Sequence, residues 1–270
     1  MMNNNININI NNNQNIGLYI HIPFCHTICP YCDFYKMVVS DKLKHQYIQA
    51  LIKELKYKQP KNITTIYIGG GTPTALSLDD LKLLLSNINT ILDLDNNKIL
   101  EYTIELNPLD ITDEVLTILK EYHVNRLSIG VQTLIPRLQK IINRYITYNE
   151  LKEKIELINA YGFNNYNLDL IYGIPSETMD ELLHDLKDFI SFKTGHLSTY
   201  SLILEKHTIF YTQYLKKEIE ITNDETLSKM YDLILSTLEK EGYHRYEVSN
   251  FSKENKESKE EKDNKFELKK

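Results

Sequence analysis

The three cysteines of the chain, Cys25, Cys29 and Cys32, all stand within one eight-residue window, CHTICPYC. A C-x3-C-x2-C spacing lets three thiolates on one loop face a common centre, and it excludes a distributed disulfide framework. Three thiolates are one short of a closed four-cysteine iron–sulfur set, which leaves an iron with a position open for a small molecule. On spacing alone, zinc with His26 or His21 as fourth ligand and a set of buried inert thiols are the alternatives. A second motif is YIGGGTPT, where Gly69, Gly70 and Gly71 permit a backbone approach that a Cβ would block and leave amides free for a ligand. A tight structural turn is the plain reading of the same glycines.

Short β-rich runs alternate with helix-length amphipathic stretches and must position these motifs. The runs Leu18 to Ile22, Thr65 to Ile68, Tyr102 to Leu106, Arg126 to Ile129, Asn167 to Ile171 and Leu197 to Ile203 read as strands. Helical patterns follow at Asp41 to Lys58, Ser77 to Leu92, Thr112 to Glu121, Tyr148 to Ala160 and Glu177 to Ile190, with Ser77, Thr112 and Ser176 at cap positions. Repeated βα units predict an α/β fold with a parallel sheet, either doubly wound or a barrel that stops short of eight strands. In both, ligands bind beyond the carboxyl ends of the strands. The cysteine loop follows the first strand and the glycine turn ends the second. Glu105 and Asp169 end the third and fifth, Gln132 follows the fourth, and Ile203 ends the sixth.

The composition sets outer limits. The chain has 270 residues, 42% hydrophobic and 25% charged, enough for a sizeable core. A net charge of −6 gives no basic footprint for nucleic acid, and no apolar run of membrane-spanning length or signal-peptide pattern occurs, so a cytoplasmic protein is expected. Residues 1–16, an Asn/Ile run, and 252–270, a Lys/Glu-rich segment, read as unstructured flanks of a core over 17–251.

GLYIHIPFCHTICPYCDF followed by GGGTPT resembles the radical S-adenosylmethionine (SAM) superfamily, and within it the oxygen-independent coproporphyrinogen III oxidase family. IELNP at Ile104 to Pro108, LSIGVQT at Leu127 to Thr133, LDLIYGIP at Leu168 to Pro175 and YEVSNF at Tyr246 to Phe251 keep that family's order and approximate spacing. The resemblance implies a three-quarter (β/α)6 barrel and a 4Fe-4S cluster on Cys25, Cys29 and Cys32. It also implies SAM bound through its methionine amine and carboxylate at the fourth iron, and cleaved there to a 5′-deoxyadenosyl radical. Carried over position by position, it implies SAM contacts for Tyr19, for Tyr31 beside the adenine, and for the backbone of Gly70, Gly71 and Thr72 at the amine. It implies further contacts for Glu105, Gln132, Arg144, Asp169 and the backbone of Ile203. The plain readings are a strand aromatic for Tyr19, a rim ion pair for Glu105 or Asp169, a loop arginine for Arg144 and a core isoleucine for Ile203. His123, His184, His196 and His207 show no pairing with a nucleophile and read as surface or rim histidines. The polar groups of Glu105, Gln132, Arg144 and Asp169 are expected to surround one cavity with the three sulfurs.

Members of that family that decarboxylate coproporphyrinogen III carry a further cysteine two positions after the third. Phe34 stands there, so the chain resembles the HemW-type heme-chaperone branch. After YEVSNF the family continues into a His-Asn-x-x-Tyr-Trp segment and a helical C-terminal domain, which this sequence does not show. The resemblance implies binding of heme for delivery to an acceptor hemoprotein, with a reductant for the cluster. The alternatives are a coproporphyrinogen III dehydrogenase acting on the porphyrinogen, and a truncated remnant without function.

Overall fold

Residues 15–253 are described by the computed structural model. Six strands run parallel in chain order: β1 (Ile16–Ile22), β2 (Ile63–Gly70), β3 (Glu101–Leu106), β4 (Arg126–Gln132), β5 (Tyr166–Tyr172) and β6 (His196–Ser201). Two short strands, β7 (Tyr243–Arg245) and β8 (Asn250–Lys253), complete a sheet of order β1-β2-β3-β4-β5-β6-β8-β7, with β8 antiparallel to both its neighbours. Adding every parallel strand to the same edge through right-handed crossovers puts the helices on one face. A doubly wound sheet would instead reverse its strand order. The architecture is therefore a partial (β/α)6 barrel.

Alternation along the strands separates the two faces. Ile20, Ile22, Ile66, Ile68, Ile104, Leu127, Ile129, Leu168 and Leu197 are buried beneath the helices. Each such side chain contributes about 1.5–3 kcal/mol on leaving water. The alternate positions are polar or small: Tyr19, Tyr67, Thr103, Glu105, Ser128, Gly130, Asn167, Asp169 and Ser198. A closed eight-stranded barrel fills this face with branched apolar side chains, so its polarity here marks a face reserved for something other than core.

The helices are α1 (Asp41–Lys58), α2 (Leu78–Leu92), α3 (Asp113–Glu121), α4 (Pro136–Ile142), α5 (Tyr148–Ala160), α6 (Met179–Ser191), α7 (Ile209–Leu215) and α8 (Asp224–Lys240). Ser77 and Thr112 cap α2 and α3 as expected, accepting from Asp80 N and Val115 N. At α6 the cap is Thr178, not Ser176. Thr178 has Glu181 three residues on and closes a reciprocal capping box, whereas Ser176 is followed at that distance by Met179, which has nothing to return. Ser176 instead takes a left-handed φ of 64° and accepts from Arg137 Nη1 at 2.7 Å.

Three expected boundaries move. Ile16 belongs to β1, and Ser252 and Lys253 belong to β8, where the buried Phe251 pairs with Leu197. The rest of the two expected flanks, 1–14 and 254–270, lies outside the described residues. Ile203 does not end the sixth strand: β6 stops at Ser201, and Ile203 is 66% exposed, which also rules out a core isoleucine. The cause is β5, which ends at Tyr172; Leu202 N takes its carbonyl at 2.8 Å, and Gly173 then turns away at φ 79°. No helix among the described residues is long and apolar enough to cross a membrane.

Candidate functional site

The cysteine loop is closed at its base. Phe24, fully buried after β1, bridges to Met37; Met37 N donates to Pro23 O at 2.7 Å and Cys25 N to Met37 O at 3.1 Å. Within the loop Cys32 N donates to Cys29 O at 3.3 Å, and Lys36 Nζ donates to the Cys32 and Phe34 carbonyls. All three cysteines are free and half-buried. Burial pushes the Cys25 thiol up, opposed by the Thr72 hydroxyl 3.8 Å away and by Arg144, while Cys32 and Cys29 push the same way as burial. Burial also raises Cys32, opposed by the Phe34 backbone and Lys36.

The glycine turn is docked on this loop, and here one expectation is corrected. Its amides are not free: Gly71 N donates to Ile22 O at 2.9 Å, Thr72 N to Phe24 O at 2.6 Å, and Gly70 N to Glu105 Oε2 at 3.0 Å. What the turn can offer a ligand is acceptor oxygen, which suits an ammonium rather than an anion. Gly70 takes φ 120°, and a Cβ there would meet the His21 ring at 2.4 Å, so glycine is required at that position by both conformation and space.

Glu105 stands next to last in β3, but Asp169 does not end the fifth strand as expected: β5 continues through Leu170 and Ile171 to Tyr172, which leaves Asp169 at its centre on the polar face. Glu105 accepts from Tyr67 OH at 2.6 Å and from Gly70 N, which joins β2, β3 and the glycine turn. Asp169 pairs in register with Gly130 and Ser198 and accepts from Asn167 Nδ2 at 2.6 Å. Burial holds the Asp169 carboxyl up to about 6, with Glu105 adding and its bonds to Asn167 and Ser198 opposing. Tyr19, 57% exposed, sits with its ring centroid 6.0 Å from that of Tyr67 and its hydroxyl 2.9 Å from His21 Nδ1.

Arg144 and Gln132 meet at Gly130. Arg144 donates to Gly130 O, and a Cβ on Gly130 would lie 3.0 Å from Gln132 Nε2 and 3.2 Å from Arg144 Nη2. Gln132 has φ 79°, and its side-chain oxygen is buried without a hydrogen-bond partner. Arg144 also acts electrostatically on Cys25 and Tyr31. Tyr31 packs on a small apolar cluster with Leu138, Ile142 and Phe210, its ring centroid 6.4 Å from that of Phe210. The structure thus brings Cys25, Cys29, Cys32, Tyr31, Thr72, Gly70, Glu105, Gln132, Arg144 and Asp169 to one end of the sheet and its polar face. Ile203 lies on the exposed loop that follows the carboxyl end of β6. A cavity of about 530 Å³ lies at the other ends of the strands, lined by residues such as Asp95, Lys120 and His123, and contains none of these groups. Sequence reasoning missed Tyr67 and Asn167, although both share a strand face with an expected residue two positions away.

The residues present fit the group the resemblance implies. Three unbridged thiols lie on one loop, the turn beside them excludes any Cβ, and Gln132 leaves a buried acceptor unsatisfied. Zinc fits less well. It needs its donors around a single ion, and among the described residues no three His, Cys, Asp or Glu side chains converge in that way. His26 is held by Asp110 at 3.1 Å, and His21 is held between Tyr19 OH and Tyr35 O. Cysteines that ligate separate irons of a cluster need no such convergence.

Comparison with known proteins agrees with this geometry. The heme chaperone HemW of Lactococcus lactis is 41% identical over 233 residues, covering 86% of this chain and 61% of that protein. The heme chaperone HemW of Bacillus subtilis is 41% identical over 240 residues, covering 87% and 63%. The chain therefore spans less than two thirds of the length of these relatives. Among solved structures, coproporphyrinogen III oxidase (HemN) from Escherichia coli, described as a radical SAM enzyme, superposes with a TM-score of 0.79 at 28% identity, over 88% of this chain and 56% of that one. The family model described as the radical SAM superfamily matches residues 19–189. That span takes in the cysteine loop, the glycine turn and all the expected carboxylates, and so the chain belongs to the radical SAM superfamily.

Proposed function

We propose that this chain binds a 4Fe-4S cluster on Cys25, Cys29 and Cys32, binds SAM beside it, and acts as a heme chaperone, holding heme for delivery to a hemoprotein. The observation that carries the chaperone reading is Phe34. It stands 72% exposed two residues after Cys32, so the loop offers three thiols and no fourth. The names of the relatives from Lactococcus lactis and Bacillus subtilis support the same reading.

When bound, the cluster and SAM supply one-electron chemistry. The chain's own residues bind and orient. Carbonyls of the Gly70–Thr72 turn suit the methionine amine, and Arg144 suits the carboxylate through charge-assisted bonds. Glu105 and Asp169 suit ribose hydroxyls, Tyr31 would lie beside the adenine, and Tyr19, Gln132 and the Ile203 backbone would line the remaining side. The role is assigned to the cytoplasm, with a reductant and an acceptor hemoprotein as partners. The net charge of −6 speaks against nucleic acid.

Anaerobic reconstitution with iron and sulfide tests the site. Electron paramagnetic resonance of the reduced protein should show a 4Fe-4S signal that SAM perturbs; a protein that takes up zinc and no cluster would overturn it. Heme titration followed in the Soret band tests the chaperone role. Oxidative decarboxylation of coproporphyrinogen III without heme binding would favour the second reading, a coproporphyrinogen III dehydrogenase, which the Escherichia coli structural likeness supports. Absence of cluster, heme binding and turnover together would indicate a remnant.

A further inference from the structure

His196, read from the sequence as a surface or rim histidine, is the first residue of β6 and takes part in a polar chain that runs from the exposed Tyr246 inward to the buried Asn167. Its Nδ1 lies 2.5 Å from Asn167 Oδ1 and its Nε2 lies 2.6 Å from Tyr246 OH. Asn167, 2% exposed, donates from Nδ2 to Asp169 Oδ1 at 2.6 Å and to Ser128 Oγ at 3.2 Å. Ser198 Oγ lies 3.1 Å from Asn167 Oδ1 and 2.9 Å from Asn250 Oδ1. The chain links the YEVSNF segment after β7 to the middle of β5.

The direction of each bond follows by elimination. An ionised carboxylate only accepts, so Asn167 must turn its Nδ2 toward Asp169 and its oxygen toward His196. That oxygen also only accepts, so His196 Nδ1 carries the proton. In a neutral ring Nε2 is then the acceptor, and Tyr246 donates to it. Burial, with Arg126 adding, pulls the His196 ring down to about 4 and keeps it neutral. Along the path from Tyr246 through His196 to Asn167 each donor therefore points toward Asp169.

We propose that His196 is a positioning residue. It locks the Asn167 amide, and the locked amide holds the Asp169 carboxylate in the orientation that receives ligand. The ligand half of this rests on the reading of Asp169 as a SAM contact; the locking does not.

The test uses His196→Ala and His196→Asn in the full chain, since asparagine keeps a donor near the place of Nδ1. Two quantities are measured: the titration of the Asp169 carboxyl by 13C resonance in ligand-free protein, and SAM affinity of cluster-reconstituted protein by calorimetry. The groups facing Asp169 are Tyr67, Glu105, Arg126, Asn167, Ser198 and Tyr200, and neither variant replaces any of them. In His196→Ala the Asp169 midpoint should move upward and SAM should bind about tenfold more weakly. In His196→Asn both should return to within about twofold of the unmutated protein. A purely structural role would lower the stability of both variants alike without that rescue. In the unmutated protein, 15N shifts should report a neutral His196 ring protonated on Nδ1, and any other protonation state overturns the proposal. So does an unmoved Asp169 titration in the Ala variant. A shifted titration with unchanged SAM affinity removes the ligand half. If the unmutated protein binds no SAM while the titration shifts, the SAM reading of Asp169 falls and the locking stands.

Discussion

Gly71→Ala places one methyl group where the glycine turn meets the cysteine loop. The new Cβ would lie 2.6 Å from Phe24 O, 2.9 Å from Phe24 N and 3.0 Å from Phe24 C. These are main-chain atoms, and the Met37 bridge pins them, so no rotamer change relieves the contact. Overpacking of this kind costs about 1–3 kcal/mol. Moving the turn away instead weakens the bonds from Gly71 N and Thr72 N, at about 1 kcal/mol each. Whichever way the strain is relieved, a loss of about 1–3 kcal/mol is expected, or about 2–12 °C in Tm for a domain of this size. Gly195→Ala is the control: nothing lies within 4 Å of its Cβ position, so it should stay within about 0.5 kcal/mol of the unmutated protein. Urea denaturation followed by circular dichroism, with m-values compared, measures both. A Gly71→Ala protein within about 0.5 kcal/mol of the original would refute the close approach and the docking built on it.

Other perturbations read other parts of the site. Glu105→Gln turns an amide hydrogen toward one of two donors, Tyr67 OH or Gly70 N, and should cost about 1–2 kcal/mol in denaturation while weakening SAM binding. Glu177 accepts from Gly173 N at 2.6 Å and Ile174 N at 3.0 Å, and burial raises its carboxyl from 4.5 to about 8. The folded state therefore keeps a proton that the unfolded chain releases, so its contribution is complete below pH 4.5 and is lost as pH rises toward 8. Denaturation across that window should show falling stability, with a shallower slope in Glu177→Gln; an unchanged slope would remove Glu177 as the cause. Serine at Cys25, Cys29 or Cys32 should abolish iron uptake on reconstitution while changing ligand-free stability by about 1 kcal/mol or less, because each thiol is half-exposed.

Much of this architecture is legible in the chain because the period changes cleanly between two and 3.6. The bounds of α1 and α5 fall where the amphipathic pattern begins and stops, and Ser77 and Thr112 cap where their side chains can reach. The misses share a physical origin, which is that they depend on distant partners. Ser176 and Thr178 are both acceptable caps locally, and Glu181 decides between them. The length of β6 depends on where β5 turns away at Gly173. The amides of the glycine turn look free until Ile22, Phe24 and Glu105 are brought beside them. His196 looks idle because both its partners lie far along the chain, |i−j| being 29 for Asn167 and 50 for Tyr246.

Gln132 carries two burdens at once. A non-glycine residue at φ 79° is strained by about 1 kcal/mol or more, and its buried oxygen forgoes a hydrogen bond worth about 1–3 kcal/mol. A sequence shaped by endurance alone would carry glycine there, free of both penalties. Retaining glutamine makes the end of β4 a place where folding stability and ligand recognition pull in opposite directions. Laboratory selection for heat resistance alone should therefore find position 132 early, and the survivors should be sturdier proteins with a blunted site.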